Sequence, residues 1–137
     1  MNEISMSNEL YWLTLTALFT GLCWFPYIAN RLLEIGIGGA ALDPNPNLKP
    51  KAPWAQRMKA AHANGVENLV VFAPLVLIVH ITDTGSAFTA IAVMVYFFAR
   101  IVHYLVYTFG VPGIRTLAFS VSVVCQLILA LAALGLV

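Results

Sequence analysis

The sequence predicts an all-α protein, a bundle of four helices that cross a membrane. Three observations carry this. Apolar residues make up 61% of the 137-residue chain and charged residues only 9%. A soluble domain has roughly 45–50% and about 25%, so this chain has too little charge to cover a water-facing surface. Four apolar runs approach or exceed the ~20 residues that a helix needs to cross the hydrocarbon core. None of them alternates with period two, as the ~9–11-residue strands of a membrane barrel do. The length suits a single domain over residues 1–137, with no composition break to divide it.

The first span is expected over residues 10–33. The N-terminal MNEISMSNEL holds Glu3 and Glu9 but no basic residue and no small-residue cleavage site, so this span is expected to be retained. Pro26 lies inside it and predicts a kink, which membrane helices tolerate because neighbours satisfy the freed carbonyl. A polar, proline-rich loop, ALDPNPNLKPKAPW, occupies residues 41–54. The second span is expected over 60–81, with another kink at Pro74. Asp83-Thr84-Gly85-Ser86 supplies turn and cap chemistry ahead of the third span, 87–109. Gly110-Val111-Pro112-Gly113 then separates it from the fourth, 117–137, where Ser120, Ser122 and Gln126 are expected to bond to a neighbouring helix. Cys23 and Cys125 sit in apolar runs without a second cysteine or a histidine at ligand spacing, and are read as small packing residues.

The formal net charge of +1 offers no field that would draw nucleic acid or an acidic substrate. The distribution of charge is more informative. Arg31, Lys49, Lys51, Arg57 and Lys59 flank the first loop and Arg115 borders the third, whereas the second loop has only Asp83 and the termini have no Lys or Arg. Basic loops favour the cytoplasm, which places loops one and three there and both termini on the non-cytoplasmic side. Trp12, Trp24, Tyr27 and Trp54 lie near span ends and are expected to form an interfacial belt.

Polar residues inside the spans form two stripes. Arg57, Asn64, Glu67 and Asn68 share roughly one side of the second helix, and Arg100, His103, Tyr104 and Tyr107 follow a helical repeat on the third. Glu67 is nine residues in from Met58, ~13 Å, and Arg100 is eight residues from Thr108, ~12 Å, so both charges reach one depth. An ion pair between them, within or between subunits, is expected, because either charge alone in hydrocarbon costs several kcal/mol. Such a pair can fix helix register or can serve a ligand; the residues leave both open. His62 and His80 lie off the stripes and are read as packing or interfacial residues. No GxSxG, P-loop or HExxH motif occurs. The Arg, Asn, Tyr and carboxylate set suits a small polar anion, with arginine pairing a carboxylate and Glu67 receiving an ammonium.

Two stretches carry a resemblance. Residues 57–68, RMKAAHANGVEN, and residues 100–107, RIVHYLVY, followed by GVPGIR, resemble the two signature regions of the MAPEG family, the membrane-associated proteins in eicosanoid and glutathione metabolism, in a bacterial-type member. The resemblance implies a homotrimer in a bacterial inner membrane, with glutathione held between subunits near the cytoplasmic side. It places Asn64, Glu67, Arg100 and Tyr107 at glutathione-holding positions, with Arg31 and Arg57 as further candidates. Arg115 is implied as the group that stabilises the glutathione thiolate, since a fixed guanidinium lowers a thiol pKa.

Three departures bear on that implication. Ala60 and Ala63 stand where glutathione-using members carry arginines, and Phe119 stands where some carry tyrosine. Each lost charge-assisted contact removes about 1.5–3 kcal/mol, or roughly 10- to 150-fold in affinity. Two functions therefore stay open. One is a glutathione transferase or peroxidase acting on lipophilic electrophiles that enter from the bilayer. The other is a non-catalytic module that binds a lipid or a partner protein through the same cleft. A channel is disfavoured, because the polar stripes do not run the length of the spans.

Overall fold

The computed structural model describes residues 5–42, 45 and 47–137. Among these residues five helices make four crossings: α1 (Asn8–Leu22) and α2 (Phe25–Leu42) form the first, and α3 (Pro53–Ile81), α4 (Ala87–Thr108) and α5 (Ile114–Ala133) form the others. Each crossing is long and apolar enough to span a bilayer.

The first crossing breaks at Cys23–Trp24, ahead of Pro26. Pro26 has no N–H to give the Leu22 carbonyl, and its ring crowds that carbonyl, so the chain turns and restarts with proline in the first turn of α2. The opened backbone is satisfied from elsewhere in the bundle: Tyr104 of α4 donates its hydroxyl to the Cys23 carbonyl at 2.8 Å. The second expected kink differs. Pro74 sits within α3, whose helical run is unbroken from Pro53 to Ile81. At Gly36 in α2 the backbone takes φ 73°, a left-handed value that suits glycine, and the helix changes direction there.

Side chains fix the ends of the elements. Ser7 caps α1 by accepting from the Leu10 N–H at 3.2 Å. Ser86 and Thr89 form a reciprocal capping box on α4. The first loop is clamped by Glu34, whose carboxylate accepts from the Lys51 N–H at 3.0 Å, from the Ala52 N–H at 3.1 Å and from Asn30 at 2.9 Å. Gln56 adds a bond to the Pro50 carbonyl at 2.6 Å. Glu9 is buried at the opposite end, where the Thr89 hydroxyl donates to it at 2.7 Å across 80 residues of sequence.

Helix α4 is the centre of the bundle and packs on α5, α3 and α1. The core is built on Phe72 and Tyr96, stacked with centroids 3.6 Å apart, together with Val76, Val79, Val93, Cys125 and Leu129. A second cluster of Cys23, Met58, Ala61 and Tyr104 fills the space beneath the break in the first crossing. Both cysteines are free and buried. Large apolar side chains such as Leu18, Phe88, Leu117 and Leu127 point outward. Lipid solvates such a surface, and the burial that orders a soluble domain is here confined to the helix contacts.

Candidate functional site

The polar residues of α3, α4 and α5 join into one chain of contacts. Gln126 of α5 reaches the side-chain oxygen of Asn68 at 3.3 Å. Asn68 donates to the Asn64 carbonyl at 2.9 Å, and the Asn64 side-chain oxygen accepts from Arg100 Nη2 at 2.7 Å. Arg100 Nη2 also lies 3.3 Å from His103 Nδ1. His103 packs edge-on against Tyr107, and the Arg115 guanidinium lies over the Tyr107 ring at 4.5 Å. Of the serines on α5, Ser120 and Ser122 bond to carbonyls of their own helix rather than to a neighbour, so only Gln126 crosses between helices.

Arg100 is 5% exposed, and among the described residues no carboxylate reaches it. Its Nη1 is buried without a hydrogen-bond partner among the described residues. The expected contact with Glu67 does not form within the protomer. Steps of three residues and of one residue put Glu67 about 60° around the helix from Asn64 and about 100° from Asn68. The two asparagines are half-buried, while Glu67 is exposed on the side of α3 that also carries Ala60 and Ala63.

The remaining candidates divide into positions bonded within the protomer and positions left open at its surface. Arg57 Nε donates to the Thr108 carbonyl at 2.8 Å and so closes the C-terminal end of α4. Gly110, at φ 72°, makes room for it: a Cβ there would sit 3.3 Å from Arg57 Nε. Arg31 Nη1 approaches the Leu48 carbonyl at 3.5 Å, tying α2 to the loop. Arg115 is exposed and Tyr107 half-buried at the same end of the bundle. His62 accepts or donates at 2.7 Å with Tyr27, which makes Tyr27 an inter-helix contact rather than a belt residue alone. Trp12 likewise packs inward, on Phe97 and Phe98. His103 links Arg100 to Tyr107 but was not among the ligand candidates, because an imidazole on a helical repeat gives no sign of which neighbour it meets. Beside Arg100 the protomer leaves a space of about 10 Å³, room for about one water and far below the ~300–1,000 Å³ of a small-molecule pocket.

The sequence profile of the MAPEG family matches residues 10–135, nearly the whole chain. The protein belongs to the MAPEG family. No curated protein matches it. Membership agrees with the four apolar crossings and makes this MAPEG protein an integral, multi-pass membrane protein built as a four-helix bundle. The residues that carried the resemblance, 57–68 and 100–115, include the Asn64–Arg100 contact between α3 and α4 and the end of the bundle where Arg115 lies.

Proposed function

We propose that this MAPEG protein is a glutathione-dependent transferase or peroxidase whose lipophilic electrophiles enter from the bilayer. The observation that carries the reading is the buried, carboxylate-free guanidinium of Arg100 at one end of a polar chain that leads through His103 and Tyr107 to Arg115. A cation held in this way attracts an anion, and glutathione carries two carboxylates and an ionisable thiol. In the proposed site Arg115 lowers the thiol pKa and holds the thiolate, while Asn64, Glu67, Arg100 and Tyr107 hold the peptide, with Arg31 and Arg57 at its edge.

Assembly is part of the proposal. Beside Arg100 the isolated protomer has no room for a tripeptide, and Glu67 projects outward in a membrane crossing. A homotrimer would supply both the missing wall and a partner for Glu67, with the cleft between subunits on the side of the basic loops. The excess of Lys and Arg in loops one and three supports the orientation with both termini on the non-cytoplasmic side.

Titration calorimetry of the purified protein with glutathione, paired with thiolate absorbance near neutral pH, tests this. Binding with a thiolate signal is expected, and Arg115→Ala should abolish the signal while the oligomer stays intact. No binding at millimolar glutathione sinks the enzyme. One observation favours a second reading, a lipid- or protein-binding module. Ala60 and Ala63 lie exposed beside an open cavity and present no guanidinium to a carboxylate.

A further inference from the structure

The end of the bundle opposite Arg115 holds a cavity of about 390 Å³, set between the start of α1, the end of α3 and the turn that leads into α4. Its volume falls in the range of small-molecule sites. Ser7, Glu9, His80, Asp83 and Ser86 are among its walls. Apart from the His80 imidazole its ionisable groups are both carboxylates, and the second loop and the termini have no Lys or Arg to offset them.

Glu9 is the unusual member of this wall. It is 8% exposed, and the Thr89 hydroxyl satisfies only Oε1; Oε2 has no hydrogen-bond or ion-pair partner among the described residues. A buried carboxylate with an oxygen left over is costly unless a cation meets it. Gly85 keeps the approach open, since a Cβ there would lie 3.1 Å from Oε1. Asp83 stands exposed at the turn, and its carboxylate also has no partner among the described residues. The Leu10 and Thr89 N–H groups at the two helix starts are taken by Ser7 and Ser86, so these donors are not offered to an anion.

The walls also limit the kind of cation. Among the described residues no three His, Cys, Asp or Glu groups are placed to hold a metal ion together. No Phe, Tyr or Trp lines the cavity, so the aromatic cage that a quaternary ammonium needs is missing. A primary ammonium has three N–H donors, and these match carboxylate and hydroxyl oxygens. Depth points the same way. The 22 residues of α4 make ~33 Å, close to the ~30 Å of hydrocarbon, so its first turn lies where headgroups begin.

We propose that this cavity binds a primary ammonium group, with Glu9 and Asp83 as its counter-charges. The group comes either from the headgroup of phosphatidylethanolamine or from a soluble primary amine. The length of α4 separates this site from Arg115, and it does not depend on the glutathione reading.

The test uses the full-length protein in phosphatidylcholine nanodiscs, with phosphatidylethanolamine of the same acyl chains added to the bilayer in one arm and ethanolamine titrated from solution in the other. Native mass spectrometry reads the retained lipid, and calorimetry reads the soluble amine. Retention of phosphatidylethanolamine over phosphatidylcholine assigns a headgroup, and saturable binding of ethanolamine assigns a soluble amine. In either case Glu9→Gln should weaken binding roughly 10-fold or more and Asp83→Asn about 5-fold. Asp83 has φ 55°, a value that asparagine also adopts, so Asp83→Asn keeps the turn and remains a test if Glu9→Gln does not fold. Choline in place of ethanolamine should not bind. Binding of neither amine source, equal binding of choline, or undiminished binding by Asp83→Asn overturns the proposal whatever glutathione does.

Discussion

Arg100 sets the energetics at the residue scale. Its guanidinium is buried with Asn64 and His103 as its hydrogen-bond partners, so the Asn64 bond is charge-assisted, while the Gln126–Asn68 bond one layer deeper is neutral. Bonds to charged groups contribute about 1.5–3 kcal/mol, and neutral inter-helix bonds in membrane proteins average about 0.6. Asn64→Leu should therefore destabilise the protein in a denaturing-detergent titration by about 1.5–3 kcal/mol and Gln126→Leu by about 0.6. Equal costs would mean that Arg100 is not held as a buried charge. The level of this contact was legible in the sequence, because counting residues from each helix end brought α3 and α4 together at Arg100. The partner was not. Opposite charges suggested Glu67, but a helix advances about 100° per residue, and the three residues from Asn64 to Glu67 are enough to turn the carboxylate outward. Glu9 was missed for a related reason: a carboxylate near a terminus reads as solvated until the turn that buries it is seen.

Among the elements, the first crossing shows how a single proline is accommodated. The sequence located the disturbance at Pro26, and the break falls two residues earlier because proline acts on the turn before it. What the sequence did not contain was the remedy, the Tyr104 hydroxyl on the Cys23 carbonyl, since that contact joins positions 81 residues apart. Tyr104→Phe keeps the ring contact with Phe19 and removes only the donor. It should cost about 1 kcal/mol in the same titration, and no cost would show that the break satisfies its own backbone. Helix α3 illustrates a different limit. Hydropathy marks where a helix enters lipid and not where it starts, so the polar turns from Pro53 to Lys59 lay outside the apolar run although they belong to the 29-residue helix. At 1.5 Å per residue that helix is ~43 Å long, against ~30 Å of hydrocarbon, so its first turns stand in the headgroups.

For the whole molecule, the four-crossing architecture was the most legible property, because it follows from composition and run length alone. Its assembly is the least legible, since an outward apolar surface looks the same whether lipid or another subunit covers it. Glu67 distinguishes the two. A carboxylate on the outside of a crossing is costly in hydrocarbon, and a subunit contact relieves that cost. Glu67→Gln should shift the protein toward monomer in sedimentation velocity in mild detergent. An unchanged distribution would show that Glu67 meets water instead.

The bond from Thr89 to Glu9 has a consequence for how the chain is made. Glu9 is made before its donor, which follows 80 residues later, at the start of α4. Until α4 begins, the first crossing has no lock at that end, and its carboxylate must stay hydrated. Gly85 adds a fit, since a Cβ there would lie 3.1 Å from the Glu9 carboxylate oxygen. The lock between α1 and α4 therefore closes only once the turn before α4 lies over the Glu9 carboxylate.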